Sequence, residues 1–172
     1  MTDFVHTAKP ATNPTLSALV VAHNEEEDLE TCLKHLNFVD EIVVVLDRCT
    51  DGSKEIAERY AHKIVEGAWE FEGERRNKGI DACTGLWIID ADADEWISDA
   101  LAQEIRETIN TTDCDIFDIP VRNYIGGHYV QHGWGGGSFG KASYLGLYKT
   151  FAKRYGMGRH HAHVEEHGKR GP

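Results

Sequence analysis

The chain has 172 residues and a formal net charge of −11. This length suffices for one domain with a buried core, and the negative charge argues against nucleic acid, itself an anion, as a partner. The longest strongly apolar run, residues 42–46, is far too short to span a bilayer, and residues 1–15 lack the apolar segment of a secretory signal. We therefore expect a cytoplasmic protein with a flexible N-terminal segment at residues 1–15.

Four short apolar segments predict β-strands. They cover residues 16–22, 41–47, 63–66 and 86–90. The second segment is almost continuously apolar, which is typical of a parallel strand that is covered on both faces.

Helical patterns separate these strands. Asn24 is expected to cap the first helix, because three Glu residues follow it and apolar residues then recur every three or four positions. A turn at residues 50–53 opens a second helix, and a third is predicted over about residues 74–83 with Gly85 as its C′ residue. Ser98 is expected to cap a fourth helix. The alternation predicts an α/β domain with a mostly parallel, Rossmann-like sheet flanked by helices.

Three polar segments follow predicted strands, at residues 23–25, 47–51 and 92–94. In parallel α/β sheets, ligands bind beyond the carboxyl ends of the strands. The three segments are therefore expected to converge on one crevice.

Four carboxylates lie within six residues at the end of the fourth strand: Asp90, Asp92, Asp94 and Glu95. Like charges this close favour a bound cation, and oxygen ligands without neighbouring Cys or His indicate Mg²⁺ or Mn²⁺. Such an ion usually completes its coordination with water and substrate phosphate oxygens. The alternative is a solvated acidic turn.

Two common nucleotide-binding motifs are missing. The chain has neither the Gly-x-Gly-x-x-Gly of dinucleotide dehydrogenases nor the Gly-x-x-x-x-Gly-Lys-Ser/Thr of a P-loop. A nucleotide can still bind if Asp47 accepts a hydrogen bond from the base and a metal holds the diphosphate. Alternatively, Asp47 is only a turn residue.

Four motifs occur in order: VVAHNEE at residues 20–26, VVLDRCTDGS at 44–53, RRNKG at 75–79 and DADE at 92–95. Together they resemble family 2 glycosyltransferases of the GT-A fold, over about residues 16–110. Within that family the pattern is most similar to bacterial enzymes that build the lipopolysaccharide core. The resemblance implies a single GT-A type domain over residues 16–172 that transfers a sugar with inversion from a nucleotide-sugar donor to a glycan or lipid-linked acceptor.

The resemblance also implies roles for individual residues on the donor side. Asp47 contacts the nucleobase and Glu25 lies near the ribose. Arg76 approaches the diphosphate. The wall of the nucleotide pocket is formed by Ala22, His23 and Asn24.

The metal site follows from the same resemblance. Asp92 and Asp94 match the family's Asp-x-Asp element, with Asp92 also contacting the donor and His163 as a further metal ligand. Asp90 stands where relatives carry an apolar residue, so it is expected either beneath the site, behind the metal ligands, or as a buried carboxylate. Leu46 replaces the first of two acids found in many relatives, which leaves Asp47 to act alone.

Residues 111–172 are expected to form the acceptor-side half, and residues 16–110 the half that binds the nucleotide-sugar. Strands are predicted over about residues 114–121 and 141–149. Residues 126–140 hold seven glycines and are expected to form an acceptor loop or an ordinary surface loop. Glu165 and Glu166 are alternative catalytic bases. Relatives usually extend well past this point, so the resemblance implies either a fragment of a longer enzyme or an unusually short member of the family.

Charge is distributed unevenly along the chain. Residues 1–120 carry 10 Lys and Arg against 27 Asp and Glu, whereas residues 121–172 carry 8 against 2. We call residues 121–172 the basic tail. It is expected to make peripheral contact with an anionic surface at the inner face of the inner membrane, the alternative being a basic end without a partner.

Other functions remain open. Residues 163–167 fit the inverted zinc-protease pattern His-x-x-Glu-His, which requires a helix. A His cluster that binds metal and a non-catalytic nucleotide-binding module are further alternatives. A sugar-nucleotide pyrophosphorylase is disfavoured, because the glycine-rich phosphate loop expected after the first strand is missing.

Overall fold

A computed structural model describes residues 15–125, 128–129, 142–158 and 162–172, with backbone alone for residues 125, 129 and 142. The helices are α1 Leu29–Lys34, α2 Ser53–Tyr60, α3 Glu72–Ala82 and α4 Asp99–Thr111. The strands are β1 Leu16–Ala22, β2 Glu41–Asp47, β3 Lys63–Gly67, β4 Trp87–Asp92, β5 Ile116–Val121, β6 Tyr124–Ile125, β7 His128–Tyr129, β8 Ala142–Lys149, β9 Lys153–Tyr155 and β10 Val164–Glu166.

Six strands form the central sheet in the order β3-β2-β1-β4-β8-β5. The first three pairings are parallel, whereas β4 with β8 and β8 with β5 are antiparallel. The prediction of a mostly parallel sheet flanked by helices in a single domain is confirmed. Because β5 and β8 lie in the same sheet as β1 to β4, both predicted halves share one framework.

The core lies on both faces of this sheet, since successive strand residues point to opposite sides. On β2, Val44 belongs to one apolar cluster and Val45 to the other. The first cluster includes buried residues of α1, α2 and α4, and the second includes Ile80 of α3. Three helices therefore cover one face, and α3 lies on the other.

The first helix begins later than predicted. Asp28 is the N-cap of α1, and Asn24 has a left-handed backbone with φ of 58°. The Asn24 side chain accepts a hydrogen bond from the backbone N–H of Thr50 at 2.8 Å. The predicted cap was wrong because this side chain joins two loops instead. By contrast, Ser98 caps α4 as predicted, accepting from the Leu101 N–H at 3.3 Å.

Gly85 is not the C′ residue of α3. The helix ends at Ala82 with Cys83 as its C-cap, so Gly85 lies two residues further on. A Cβ at Gly85 would approach the Ser17 nitrogen to 2.7 Å. Glycine is needed there for close packing against β1.

Residues 1–14 of the predicted flexible segment lie outside the described residues. Thr15 is described, and its N–H and hydroxyl both donate to Asp40, at 3.1 and 2.9 Å. None of the described helices combines the length and the apolar character needed to cross a membrane.

Candidate active site

The loops that follow β1 and β2 are joined by hydrogen bonds. The His23 ring nitrogen Nδ1 lies 2.5 Å from the Asp47 carbonyl oxygen. The Glu25 N–H donates to the Ser53 hydroxyl at 2.9 Å. With the bond from Thr50 to Asn24, these contacts fix the two loops against each other at the carboxyl end of the sheet.

The acidic turn, residues 92–95, lies at the end of β4 and adjoins the same loops. Burial, followed by the charge of Asp94, raises the pKa of Glu25. The Cys32 thiol on α1 donates to the Asp92 carbonyl oxygen at 3.5 Å. The three polar segments therefore lie beside one another, as predicted, but they do not share one crevice, because Asp47 and Asp92 line different cavities and residues 23–25 line neither.

Within the acidic turn, the Glu95 side chain is partly buried and hydrogen-bonded, whereas those of Asp92 and Asp94 are exposed. The Glu95 N–H donates to the Asp92 carbonyl at 2.9 Å, which closes a tight turn. The Glu95 carboxylate accepts from the Asp92 N–H at 3.1 Å and the Tyr144 hydroxyl at 2.9 Å. Burial is the main cause that raises the pKa of Glu95. Glu95 thus braces the turn, while Asp92 and Asp94 are exposed.

Asp92 and Asp94 fit a hard divalent cation that a diphosphate helps to hold. Asp92 Oδ1 accepts from Arg76 Nη2 at 3.1 Å, so a guanidinium, a group that suits phosphate, lies beside the turn. Among the described residues, no group of three or more His, Cys, Asp or Glu side chains could hold a metal. Two carboxylates with phosphate and water oxygens suit Mg²⁺ or Mn²⁺. The described geometry does not add His163 to this pair, and its ligand role stays a prediction.

A cavity of about 510 Å³ lies beside the end of β2. We call it the Asp47 pocket. It is lined by Asp47, Arg48, Ala68, Trp69, Glu70, Phe71, Glu72 and Arg75.

Asp47 is buried at the base of this pocket and accepts four hydrogen bonds. Arg48 binds both oxygens, each at 3.1 Å, and Arg75 Nη1 binds Oδ2 at 2.9 Å. The Trp69 backbone N–H adds a bond of 3.2 Å to Oδ1. Burial opposes ionisation, but these donors outweigh it and lower the pKa of Asp47. Asp47 is therefore a charged acceptor held by two guanidinium groups.

A second cavity, of about 450 Å³, lies beside the end of β4, and we call it the Asp90 pocket. Glu72 lines both cavities, so they adjoin. The residues lining the Asp90 pocket are Glu72, Arg76, Asp90, Asp92, Asp118, Ser143, Tyr144, Leu145, Lys153, Tyr155, Val164, Glu166 and Arg170.

A buried ion pair supports this second pocket. Lys153 Nζ lies 2.5 Å from Asp90 Oδ2 and donates to the Leu145 carbonyl at 2.7 Å. The ammonium also lies over the rings of Tyr148 and Tyr155, at 4.6 and 4.9 Å from their centroids. This buried placement of Asp90 agrees with the expectation that it lies beneath the site.

Arg76 connects the second pocket to the acidic turn. Its Nε donates to Glu72 at 3.2 Å, its Nη2 contacts Asp92, and its guanidinium lies 5.6 Å from the Tyr155 ring centroid. A guanidinium in this position can donate to a phosphate oxygen in exchange for a carboxylate.

The two candidate bases face different ways. On β10, which pairs antiparallel with β9, Val164 and Glu166 line the Asp90 pocket, whereas Glu165 does not. This follows from the two-residue period of a strand. Glu166 also pairs with Arg170 at 3.1 Å.

The donor-side residues Ala22, His23, Asn24 and Glu25 do not line either cavity. They form the loop beside β2 that contacts the backbone of Asp47 and Thr50. Their predicted roles as pocket wall and ribose contact stay predictions.

Several residues of the site were missed from the sequence. Arg75 is the neighbour of Arg76 within the RRNKG motif, so the motif contained a signal for it. Lys153 and Tyr144 lie 63 and 54 residues after Asp90, and no local pattern links them to it.

The described cations of the basic tail are largely paired within the domain. Six of the tail's Lys and Arg residues are described. Five of them pair with an Asp between positions 81 and 118, and the sixth is Arg122. The pairs are Lys149 with Asp115, Lys153 with Asp90, Arg154 with Asp81, Lys169 with Asp113 and Arg170 with Asp118. A charge count along the chain does not include such pairing in space, and the contact of the tail with an anionic surface stays a prediction.

Residues 163–167 do not form the helix that a zinc-protease pattern requires, because 164–166 are the strand β10. His160 and His161, on which the His-cluster alternative partly rests, lie outside the described residues. So does nearly all of the predicted acceptor loop, at 126–127 and 130–140.

The sequence model of glycosyl transferase family 2 matches residues 17–166. The chain therefore belongs to glycosyl transferase family 2, and the predicted family is confirmed.

Among curated relatives, the Bacillus subtilis protein EpsH, named as a glycosyltransferase, is 34% identical over 120 residues, which cover 64% of this chain and 34% of that protein. The lipopolysaccharide core biosynthesis glycosyltransferase LpsC of Rhizobium meliloti is 27% identical over 103 residues, covering 57% of this chain and 38% of LpsC. The chain thus spans about a third of the length of these relatives.

A solved structure shares the fold. The mannosyltransferase PcManGT from Pyrobaculum calidifontis, in complex with GDP-Man and Mn²⁺, has a TM-score of 0.52 and 22% identity over 63% of this chain and 36% of that protein. The domain has the GT-A architecture of this glycosyltransferase.

Proposed function

We propose that this domain binds a nucleotide-sugar and a divalent cation and transfers the sugar, with inversion, to a glycan or lipid-linked acceptor. The observation that carries the proposal is the placement of Asp92 and Arg76 at the Asp90 pocket. This pocket adjoins the Asp47 pocket, which contains a buried carboxylate. Family membership and the Mn²⁺ and GDP-Man of the solved neighbour support the proposal.

On the donor side, Asp47 would accept from the base, and Arg76 would bind the diphosphate. Asp92 and Asp94 would hold Mg²⁺ or Mn²⁺, which supplies Lewis-acid stabilisation of negative charge on the leaving diphosphate. The two pockets adjoin at Glu72, which suits a base in the Asp47 pocket and a sugar toward the Asp90 pocket.

Glu166 is the proposed base, since it lines the pocket that contains Asp92. The acceptor hydroxyl gives its proton to Glu166 as its oxygen bonds to the anomeric carbon, and the bond from that carbon to the diphosphate oxygen breaks. The nucleoside diphosphate leaves with the bonding electrons, and a single displacement inverts the configuration.

The acceptor is proposed to be a lipopolysaccharide or another cell-envelope glycan, on the basis of the motif pattern and the similarity to LpsC. This chemistry would take place on the cytoplasmic side. The proposal includes peripheral contact with an anionic membrane, to which the tail would bind although five of its cations are paired within the domain.

The donor and the metal can be tested together by thermal unfolding of the full chain. A nucleoside diphosphate that binds only the folded state should raise the melting temperature, and Mn²⁺ should enhance the shift. Asp94→Ala should abolish the Mn²⁺-dependent part without lowering the stability of the free protein.

Asp99→Ala serves as the control, because Asp99 is also exposed but lies in the first turn of α4. An unchanged Mn²⁺-dependent shift in the Asp94 variant would contradict the metal assignment. A Mn²⁺-dependent shift without any sugar transfer or donor hydrolysis would instead favour a non-catalytic nucleotide-binding module.

A further inference from the structure

The strand β8 contains a bulge close to the acidic turn. Leu145 and Leu147 lie opposite two consecutive residues of β5, so Gly146 is an extra residue in β8. In a regular strand, residues two apart point to the same face. Here Leu145 belongs to the second apolar cluster and Leu147 to the first. The bulge therefore moves the side chains that precede it to the opposite face of the sheet.

This bulge places the Tyr144 side chain against the first cluster. Gly146 leaves the space that the ring needs, since a Cβ at Gly146 would approach Tyr144 Cε2 to 2.9 Å. The ladder between β4 and β8 ends at Ile89. Beyond that point, the Tyr144 hydroxyl oxygen lies 2.8 Å from the Asp90 carbonyl oxygen and 2.9 Å from Glu95 Oε2. Tyr144 thus connects β8 to the acidic turn.

Glu95 in turn fixes the backbone of Asp92. Its carboxylate accepts from the Asp92 N–H at 3.1 Å, and its own N–H donates to the Asp92 carbonyl at 2.9 Å. Ala93 is buried between the exposed side chains of Asp92 and Asp94. Two carboxylates of like charge repel each other, so a fixed backbone is needed to keep both directed at one cation.

Resting on the proposed metal site, we infer that Tyr144 is a positioning residue for the divalent cation. Its hydroxyl holds the Glu95 carboxylate, and Glu95 holds the Asp92 backbone, so that the carboxylates of Asp92 and Asp94 bind one ion. Removing a group that orients metal ligands commonly weakens the binding of the metal by about 10–100-fold. Loss of the Tyr144 hydroxyl should therefore weaken metal binding more than it weakens the fold.

The experiment measures Mn²⁺ binding to the full chain by electron paramagnetic resonance, with UDP and then GDP at one fixed concentration. Tyr144→Phe keeps the ring and removes the hydroxyl, and it should bind Mn²⁺ about tenfold more weakly than the wild type. Wild-type affinity in this variant would overturn the inference and leave the proposed function intact. If the wild-type chain bound no Mn²⁺ with either nucleotide, both would fail.

Tyr60→Phe is the matched control. The Tyr60 hydroxyl donates to Glu30 at 2.6 Å, and its ring packs against the same apolar cluster but lies outside both pockets. Since each variant loses one hydrogen bond to a glutamate, the two melting temperatures without metal should fall by similar amounts. Tyr60→Phe should keep the wild-type affinity for Mn²⁺. An equal loss of Mn²⁺ affinity in both variants would contradict a specific role for Tyr144.

Variants of Glu95 show whether Tyr144 acts through it. Glu95→Ala should weaken Mn²⁺ binding at least as much as Tyr144→Phe, and the double variant should lose little more, because both changes break the same series of contacts. Glu95→Gln keeps an oxygen that accepts hydrogen bonds, so its Mn²⁺ affinity should stay within about threefold of the wild type.

Two outcomes for Glu95 would contradict the inference. Additive losses in the double variant would show that Tyr144 does not act through Glu95. A loss in Glu95→Gln as large as in Glu95→Ala would show that the Glu95 carboxylate binds the metal directly.

Discussion

Two buried aspartates lie near the carboxyl ends of β2 and β4, the strands on either side of β1, and they are neutralised in different ways. Asp47 is held by Arg48, whose side chain is 54% exposed, whereas Asp90 is held by Lys153, which is 3% exposed. An exposed partner can exchange with a ligand, while an enclosed one cannot leave without a large desolvation cost. The first aspartate is therefore suited to binding, and the second to supporting the pocket above it.

The largest expected effect concerns the Asp90 pocket and its candidate base. Glu166→Gln should reduce the rate of sugar transfer by about 10²–10⁴-fold, the usual contribution of a general base, while nucleotide binding is unchanged. Glu165→Gln, one residue away on the other face of β10, should transfer at the wild-type rate. If Glu165→Gln lost activity and Glu166→Gln did not, the assignment would be reversed.

The Asp90 ion pair should matter most for stability. Asp90→Asn leaves the Lys153 ammonium buried without its counter-charge, and we expect the free energy of unfolding to fall by about 3–5 kcal/mol. Urea denaturation measures this change. The double variant Asp90→Leu with Lys153→Met should recover much of the loss, since it removes both charges. A loss below about 1 kcal/mol in the single variant would show that Lys153 escapes to solvent.

In contrast to Asp90→Asn, Asp47→Ala should affect nucleotide binding more than stability. Nucleotide binding should weaken by about 1–3 kcal/mol, because the base loses its buried acceptor. The free energy of unfolding should change less than in Asp90→Asn, since Arg48 can turn into water. Titration of UDP into both variants tests the comparison, and equal UDP affinity in wild type and Asp47→Ala would reduce Asp47 to a turn residue.

A third pair, Asp40 with Arg106, lies at the opposite end of β1 and has intermediate exposure, 30% for each side chain. Although burial opposes it, hydrogen bonds from Arg106, Thr15 and Leu16 lower the pKa of Asp40 to about 2. A lowered pKa means that this stabilisation is present above the ordinary value near 4 and is lost as the pH falls toward 2.

Asp40→Asn should therefore lower the unfolding free energy by about 1 kcal/mol at neutral pH, after allowance for screening, and by progressively less between pH 4 and 2. Urea denaturation at several pH values measures both. Asp113→Asn is the control, because its pair with Lys169 is highly exposed. The same loss at pH 2 as at pH 7 would contradict a role for the charge of Asp40.

Local patterns predicted the framework well. Residue spacing predicted the limits of β1 and β2 and the cap of α4 at Ser98. The closeness of the three loops follows from the rule that parallel strands end at the same edge. Asn24 and Gly85 were misassigned because each has a packing or bridging role with a distant residue, and a helix-end pattern does not contain that information.

Local sequence patterns do not predict which residues pair across the sheet. Lys153 was counted as part of a cationic surface, yet it is buried against Asp90 because β8 and β9 return beside β4. Which of Glu165 and Glu166 faces the pocket also depended on the register of β10 with β9. Sequence reasoning therefore described residues 16–110 more completely than residues 111–172.

The most direct test of the account is a crystal structure of the chain with UDP and Mn²⁺, using the anomalous signal of manganese. We predict the nucleobase within hydrogen-bond distance of Asp47 and the manganese bound by Asp92 and Asp94. A nucleotide seated elsewhere, or manganese bound away from the acidic turn, would contradict the proposed donor site.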